Sequence, residues 1–376
     1  MKIVTVEPTP SPNSMKIVLD TELPAGTSHN YKKDDAETAP HPMSALLSIN
    51  GIRGIYHVMN FMAVERIGNV AWETILADVQ AVFNEEGSSD RSDIEEQVDD
   101  SYGEIYVHVQ TYKDIPLQVK VFDSLSEERF GLSERFKKAM DEVHGAEVEN
   151  YILLRKWADY GIRYGEKTEI GETVIQEVEA AYPAERLQEI IRQTNEGQTE
   201  TIQRGRKITL EEFDVDEWEK RFQLLDQIPD PDMRDTALLE RALEDEKMSI
   251  RRLATVYLGM IEDESVIPYI EKALKDRSWA VRRTAGDCMS DLGFEGFEDA
   301  AIELLKDRNK LVRWRAAMFL YETGTEKALP SLKEVEEDPE FEVKLQIRMA
   351  ISRIAEGEDA KGSVWKQMTE ARTGSQ

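Results

Sequence analysis

The chain has 376 residues, 40% of them apolar, and a formal net charge of −28. That is enough apolar material for ordinary cores and enough length for two or three domains. The acidic balance opposes non-specific attachment to nucleic acid or to an anionic membrane. No apolar run approaches the roughly 18 residues of a membrane span. A single cysteine, Cys288, excludes an internal disulfide and any all-cysteine metal or cluster site within one chain. The opening Met1-Lys2-Ile3-Val4 reads as a strand rather than a signal peptide, which predicts a cytoplasmic protein.

Residues 1–85 read as a small α/β domain. Ile3–Glu7 and Met15–Asp20 alternate like strands around the turn Pro8-Thr9-Pro10-Ser11-Pro12-Asn13. After a polar, glycine-containing loop, Pro42–Ser48 has helical spacing. Ile55–Met59 and Phe61–Arg66 suggest a second strand pair. Ala71–Phe83 places Trp72, Ile75, Val79 and Val82 on one helical face. The stretch 84–101 holds eight acids and one arginine without apolar periodicity, so 86–101 reads as a solvated acidic linker.

Residues 102–195 form a second α/β segment and a candidate duplicate of the first. At an offset of 103, Ile3–Glu7 through Met15–Asp20 overlies Tyr106–Gln110 through Gln118–Asp123 without a gap. At an offset of 99, Glu73–Phe83 overlies Glu172–Tyr182. The alternative is chance, because strands and amphipathic helices of similar composition align easily. A polar stretch, Thr194–Lys207, leads to 208–360, where a period of 31 residues governs the pattern, and 361–376 is a polar tail.

The period is carried by Ile250-Arg251, Val281-Arg282, Val312-Arg313 and Val343-Lys344. It recurs in Ala254, Ala285, Ala316 and Ile347, then in Leu258, Met289, Leu320 and Ile351. Within each unit the apolar positions define one face of a helix, and a turn and a second helix follow. Pro268 and Pro330 share a column suited to a helix's first turn. This is the pattern of stacked HEAT-like hairpins, which bury their apolar faces against neighbouring repeats. The expected architecture is therefore α+β N-terminal and middle domains followed by an all-α HEAT-like solenoid.

Asp245, Asp276, Asp307 and Asp338 keep the same register and predict a structural ladder. Each would cap a helix start and accept from an arginine of an adjacent repeat. The next column holds Arg252 and Arg283, with Arg315 nearby and Trp279 and Trp314 close in sequence. These five are candidate partner-binding residues, because arginine beside tryptophan suits a protein hot spot or base stacking. Solvated arginines beside half-buried tryptophans are the plainer alternative. Thr9, Pro10, Pro12 and Asn13 are a second candidate recognition element, against a simple hairpin connector. Cys288 shares a core column with Tyr257, Phe319 and Ala350, which predicts a small buried hydrophobe.

Thr9-Pro10-Ser11-Pro12-Asn13-Ser14-Met15-Lys16 resembles the Thr-Pro-x-Pro-Asn-x-x-Lys signature of the N-terminal domain of Nfu/NifU-type iron–sulfur scaffold proteins. His41–Tyr56 is similar to that domain's helix, glycine and strand, and Asn60-Phe61 stands where the family commonly shows Asp-Phe. Such a domain followed by a middle segment and HEAT-like repeats resembles the conserved virulence factor C family of Gram-positive bacteria. The resemblance implies a cytoplasmic protein linked to virulence-factor production. The Cys-x-x-Cys cluster motif that Nfu proteins carry in a separate domain is absent from this sequence.

No phosphate-binding glycine loop, metalloprotease helix or nucleophile elbow is present. His29, His41, His57, His108 and His144 have no i,i+4 partner, and His57 and His108 read as ordinary half-exposed strand residues. No catalytic residue, metal ligand or cofactor is predicted. The leading expectation is a non-enzymatic adaptor that binds one or more proteins and neither membrane nor, given its charge, nucleic acid. An accessory factor in iron–sulfur assembly is the alternative, and a HEAT-like DNA-repair glycosylase a third, disfavoured by the charge.

Overall fold

The computed structural model describes residues 1–9, 13–24, 26–67, 70–83, 105–123, 126–144, 154–196 and 207–356. The acidic linker 86–101, the tail 361–376, and Pro10 and Pro12 lie outside the described residues.

The N-terminal domain is a five-stranded antiparallel sheet of β1 (Ile3–Pro8), β2 (Ser14–Leu19), β3 (Ser28–Lys32), β4 (Ile52–Val58) and β5 (Phe61–Arg66), in the order β1-β2-β5-β4-β3. Alternation along β2 turns Met15, Ile17 and Leu19 to one face. Helices α1 (Met43–Ser48) and α2 (Trp72–Phe83) cover that face and add Leu46, Leu47, Trp72, Ile75 and Val79 to the core. The chain enters β4 through Gly51, whose φ of +90° and contact with Val70 leave no room for a side chain. The polar loop expected before α1 instead contains β3. Its residues are mostly exposed, and antiparallel pairing from Ser28↔Val58 to Lys32↔Gly54 ties it to the sheet. Backbone pairing rather than burial makes this strand, so no apolar alternation marks it.

The middle domain's sheet contains β6 (Ile105–Tyr112), β7 (Ile115–Phe122), β8 (Glu127–Gly131) and β9 (Arg155–Arg163), ordered β8-β7-β6-β9 and antiparallel throughout. Val107, Val109, Val119 and Val121 are fully buried on one face. Helices α3 (Glu134–His144) and α4 (Lys167–Ala181) lie against β7, and α5 (Ala184–Asn195) packs on α3. The aligned segments of the two domains do coincide as leading hairpins, β1–β2 and β6–β7. Beyond the hairpin the wiring differs: β1 is an edge strand, whereas β6 is interior, between β7 and β9.

The remaining elements are α6 (Leu210–Phe213), α7 (Trp218–Asp226), α8 (Thr236–Ala242), α9 (Met248–Gly259), α10 (Ile267–Leu274), α11 (Trp279–Leu292), α12 (Glu298–Leu304), α13 (Lys310–Thr323), α14 (Leu329–Glu334) and α15 (Phe341–Glu356). They form the helical repeat. The periodic residues Ile250, Val281, Val312 and Val343 are buried, as are Ala254, Ala285 and Ala316. Pro268 and Pro330 occupy the first turns of α10 and α14, where the missing N–H costs nothing.

The aspartate–arginine ladder is present. Arg251 donates from Nε and Nη2 to Asp276 at 2.7 and 3.0 Å, and from Nη1 to the Asp245 carbonyl at 2.9 Å. Arg313 repeats this with Asp338 at 2.7 and 3.0 Å and the Asp307 carbonyl at 3.0 Å. Arg221 on the irregular α7 adds a rung to Asp245 at 2.6 and 3.1 Å. The aspartates are not the helix caps expected: Lys247, Ser278 and Asn309 hold the N-cap positions of α9, α11 and α13. The aspartates instead accept from the backbone two residues on, as Ser278 N–H donates to Asp276 at 2.7 Å and Glu340 N–H to Asp338 at 2.9 Å.

The chain divides into two compact units, Met1–Glu104 with Glu298–Gln376, and Ile105–Phe297. Within the first, α15 packs on β1 and α2, and Phe341 and Leu345 reach the sheet's core. There Arg66, buried above the Trp72 ring at 5.2 Å, pairs with Glu342 at 3.3 Å. Within the second, α4 packs on α7, and α7 on α9, which joins the middle domain to the first repeats. No helix among the described residues is long and apolar enough to cross a membrane.

Candidate functional site

With one face of the middle sheet closed by helices, its opposite face presents Tyr106 and His108 from β6, Lys120 and Phe122 from β7, Arg129 from β8, and Trp157 and Ile162 from β9. Cross-strand register brings them together: Tyr106 lies opposite Phe122 and Ile162, and His108 opposite Lys120. Lys120 is also opposite Arg129 on β8. The Tyr106 ring stacks on Phe122 with centroids 5.6 Å apart, and His108 meets Phe122 edge-on at 4.9 Å.

The Lys120 ammonium sits between two rings, 4.3 Å from the Phe122 centroid and 4.6 Å from that of Trp157. Among the described residues no carboxylate pairs with it. Arg129 lies 5.8 Å from the Trp157 centroid and is tied to Glu127 at 2.8 Å. Tyr106 and Ile162 are each 39% exposed, high for such side chains. The rings supply stacking area, and the charge around them is mixed, with Asp159 opposite His108 and Glu127 opposite Phe122 beside Lys120 and Arg129. This arrangement can bind and orient. Among the described residues, no group of three or more His, Cys, Asp and Glu side chains could hold a metal ion.

The face was not among the sequence candidates. Its signal was the i,i+2 pairing of Tyr106 with His108 and of Lys120 with Phe122, on the side of each strand opposite its valines. What was missing was the register that sets the strands beside one another.

Thr9 is buried and donates through its hydroxyl to the Ser14 carbonyl at 3.1 Å. The Asn13 carbonyl accepts from Arg66 N–H at 2.9 Å. Both ends of the proline-rich connection are therefore anchored to the sheet. In the second unit, Arg252 and Arg283 occupy the adjacent helices α9 and α11, and half-buried Trp279 lies beside Gly165. In the first unit, half-buried Arg315 lies over buried Trp314, 5.4 Å from its ring.

The arginine column is not the open basic strip its spacing suggested. Arg283 is buried, donates to the Tyr164 hydroxyl at 2.9 Å, lies 4.4 Å from that ring's centroid and pairs with Asp287. The middle domain's own Tyr164 takes the place expected for a partner. Trp314 likewise belongs to the core. His57, expected to be half-exposed, is buried. Cys288 is buried as expected, and burial pushes its thiol up to about 12, so it is not a thiolate at neutral pH.

Residues 4–90 match a family described as the N terminus of the scaffold protein Nfu/NifU, residues 110–191 one described as virulence factor, and residues 236–302 and 270–352 one described as HEAT repeats. An Nfu-type α+β head, a second α+β domain and HEAT-type repeats define a modular repeat protein. The chain belongs to the conserved virulence factor C family. It is 46% identical over 371 residues to conserved virulence factor C of Staphylococcus aureus (strain USA300), covering 98% of this chain and 99% of that protein. It is 50% identical over 376 residues to YpgR of Bacillus subtilis (strain 168), covering 99% of each. The solved structure of SAV1430 from Staphylococcus aureus is 38% identical, covers 22% of this chain and 100% of that one, and has a TM-score of 0.21.

Proposed function

We propose that this protein is a non-enzymatic, virulence-associated adaptor whose middle domain presents a protein-binding face. The observation that carries the reading is the open aromatic face of the middle sheet, with Lys120 held between Phe122 and Trp157 and, among the described residues, paired with no carboxylate. Exposed aromatic side chains grouped with cations resemble the centres of protein interfaces more than ordinary surface. The HEAT-type repeats support the same reading, because such arrays commonly serve as binding surfaces.

The test is quantitative affinity capture from native lysate. Full-length protein is compared with the double variant Tyr106→Ser/Ile162→Ser and with Trp157→Ala, each checked for unchanged folding by circular dichroism. Partners lost with both variants support the face. A partner set unchanged in both removes it.

A second reading, accessory work in iron–sulfur assembly, rests on the Nfu/NifU match over residues 4–90. Burial and protonation of Cys288 disfavour this chain as a direct cluster ligand. Unchanged iron content in Cys288→Ala would separate contact with assembly machinery from cluster binding.

A further inference from the structure

β9 ends the order β8-β7-β6-β9, so one of its edges pairs with β6 and the other meets no strand among the described residues. It is 9 residues long, and an edge strand turns alternate N–H and C=O groups away from its sheet. Its pairing with β6 is regular from Tyr112↔Arg155 to His108↔Asp159. Beyond Asp159 the register shifts, Gly161 has a φ of +78°, and Arg163 Nη1 donates to the Tyr160 carbonyl at 3.0 Å. The regular part of the outer edge therefore stops at Tyr160.

Within that part, Arg155, Trp157 and Asp159 share the open face, because residues two apart in a strand point the same way. They read as a charge palindrome, with a cation, a ring and an anion at equal spacing. Asp159 is exposed and accepts from the Gly161 N–H at 2.7 Å, but among the described residues it is paired with no cation. Leu154, just before the strand, is 44% exposed.

A strand added antiparallel to this edge would set same-face side chains directly opposite one another. If that strand is β9 of a second copy, two-fold symmetry and the shared face allow only registers centred on a residue. Centring on Lys156 or on Asp159 opposes like charges, and centring on Ala158 opposes Trp157 to Asp159. Centring on Trp157 sets Arg155 against Asp159 of the second copy at both ends. Trp157 then meets its own counterpart, and Leu154 meets Tyr160 of the second copy on the other face. Charge complementarity selects this register alone.

We propose that two copies of the chain associate through β9, antiparallel about Trp157, joining their sheets edge to edge. The open aromatic face would run on from one protomer to the next. The pairing does not rest on what that face binds.

The test is sedimentation velocity on the full-length protein over a range of concentrations, at moderate ionic strength. The 43.0 kDa chain should form a reversible dimer. Arg155→Glu and Asp159→Arg should each weaken dimerisation by about tenfold or more, because each opposes like charges at both ends. An equimolar mixture of the two variants should dimerise again, since the mixed pair opposes unlike charges at both ends. A monomeric wild type overturns the proposal, as do single variants that dimerise undiminished or a mixture without rescue. Should a variant fail to fold by circular dichroism, hydrogen exchange of the wild type on either side of the dimer's Kd decides. Protection of amides within 154–160 that appears only above it supports the edge, and exchange that is the same on both sides overturns it.

Discussion

Arg251 on α9 closes a two-point ion pair with Asp276, 25 residues further on, while its remaining nitrogen holds the carbonyl of Asp245. One guanidinium thus links the aspartate positions of two successive repeats. Both side chains are nearly excluded from water, at 5% and 9% exposure, so removal of one partner strands a charge. Asp276→Ala should destabilise the protein by about 3–5 kcal/mol in urea unfolding. The double variant Arg251→Met/Asp276→Leu should recover much of that loss, because a buried pair replaced by apolar groups leaves no charge behind. A single variant costing under 1 kcal/mol would mean that the rung is solvated.

Gly259 lies where α9 crosses α11, and a Cβ there would land on Cys288 Sγ. Ala is intrinsically favoured over Gly in a helix by about 1 kcal/mol. Overpacking costs about 1–3 kcal/mol, so Gly259→Ala should still be net destabilising. In a Cys288→Ala background the sulfur is gone and the penalty should shrink, giving a coupling energy of at least roughly 0.5 kcal/mol in a double-mutant cycle. Additive effects would contradict the contact.

The Cys288 thiol should resist alkylation in the native protein and react once the protein unfolds. Burial first, then the negative charges of Asp287 and Asp291, raise its value from the ordinary 9.0 to about 12. The folded state therefore keeps its proton where the unfolded state has lost it. The associated stability is fully present below pH 9.0 and is lost as pH rises from there towards about 12. Unfolding midpoints across that window should fall less steeply in Cys288→Ala.

His57 titrates in the opposite sense. Desolvation, then the charge of His29 paired opposite it, lowers its value below the ordinary 6.5. The unfolded chain takes up the proton first, so stability present above pH 6.5 is lost as pH falls through the folded value. His57→Phe should flatten stability between neutral and mildly acidic pH. An identical acid limb in wild type and variant would show that His57 does not contribute to it.

Period alone was enough for β1, β2, α1, β5, α2 and the buried columns of the repeats, because alternation and helical spacing record which residues face a core. The aspartate–arginine rungs were legible for the same reason, since a repeat places the same two side chains side by side each time. Arg221 escaped because α7 departs from the period, and β3 because pairing rather than burial makes it a strand.

The arginine column shows where such reading ends. Its spacing put Arg252 and Arg283 on neighbouring helices, but Tyr164 reaches Arg283 from beyond a strand end more than eighty residues earlier in the chain. Only the approach of the segment following β9 to α11 decided that Arg283 would be buried against a tyrosine. Register alone assembled Tyr106, Lys120, Phe122 and Trp157 into one face. Sequence determines local periodicity because each residue's neighbours along the chain set which face it occupies. Burial, charge balance and exposed surface arise from contacts between segments that share no period, and those only the tertiary structure settles.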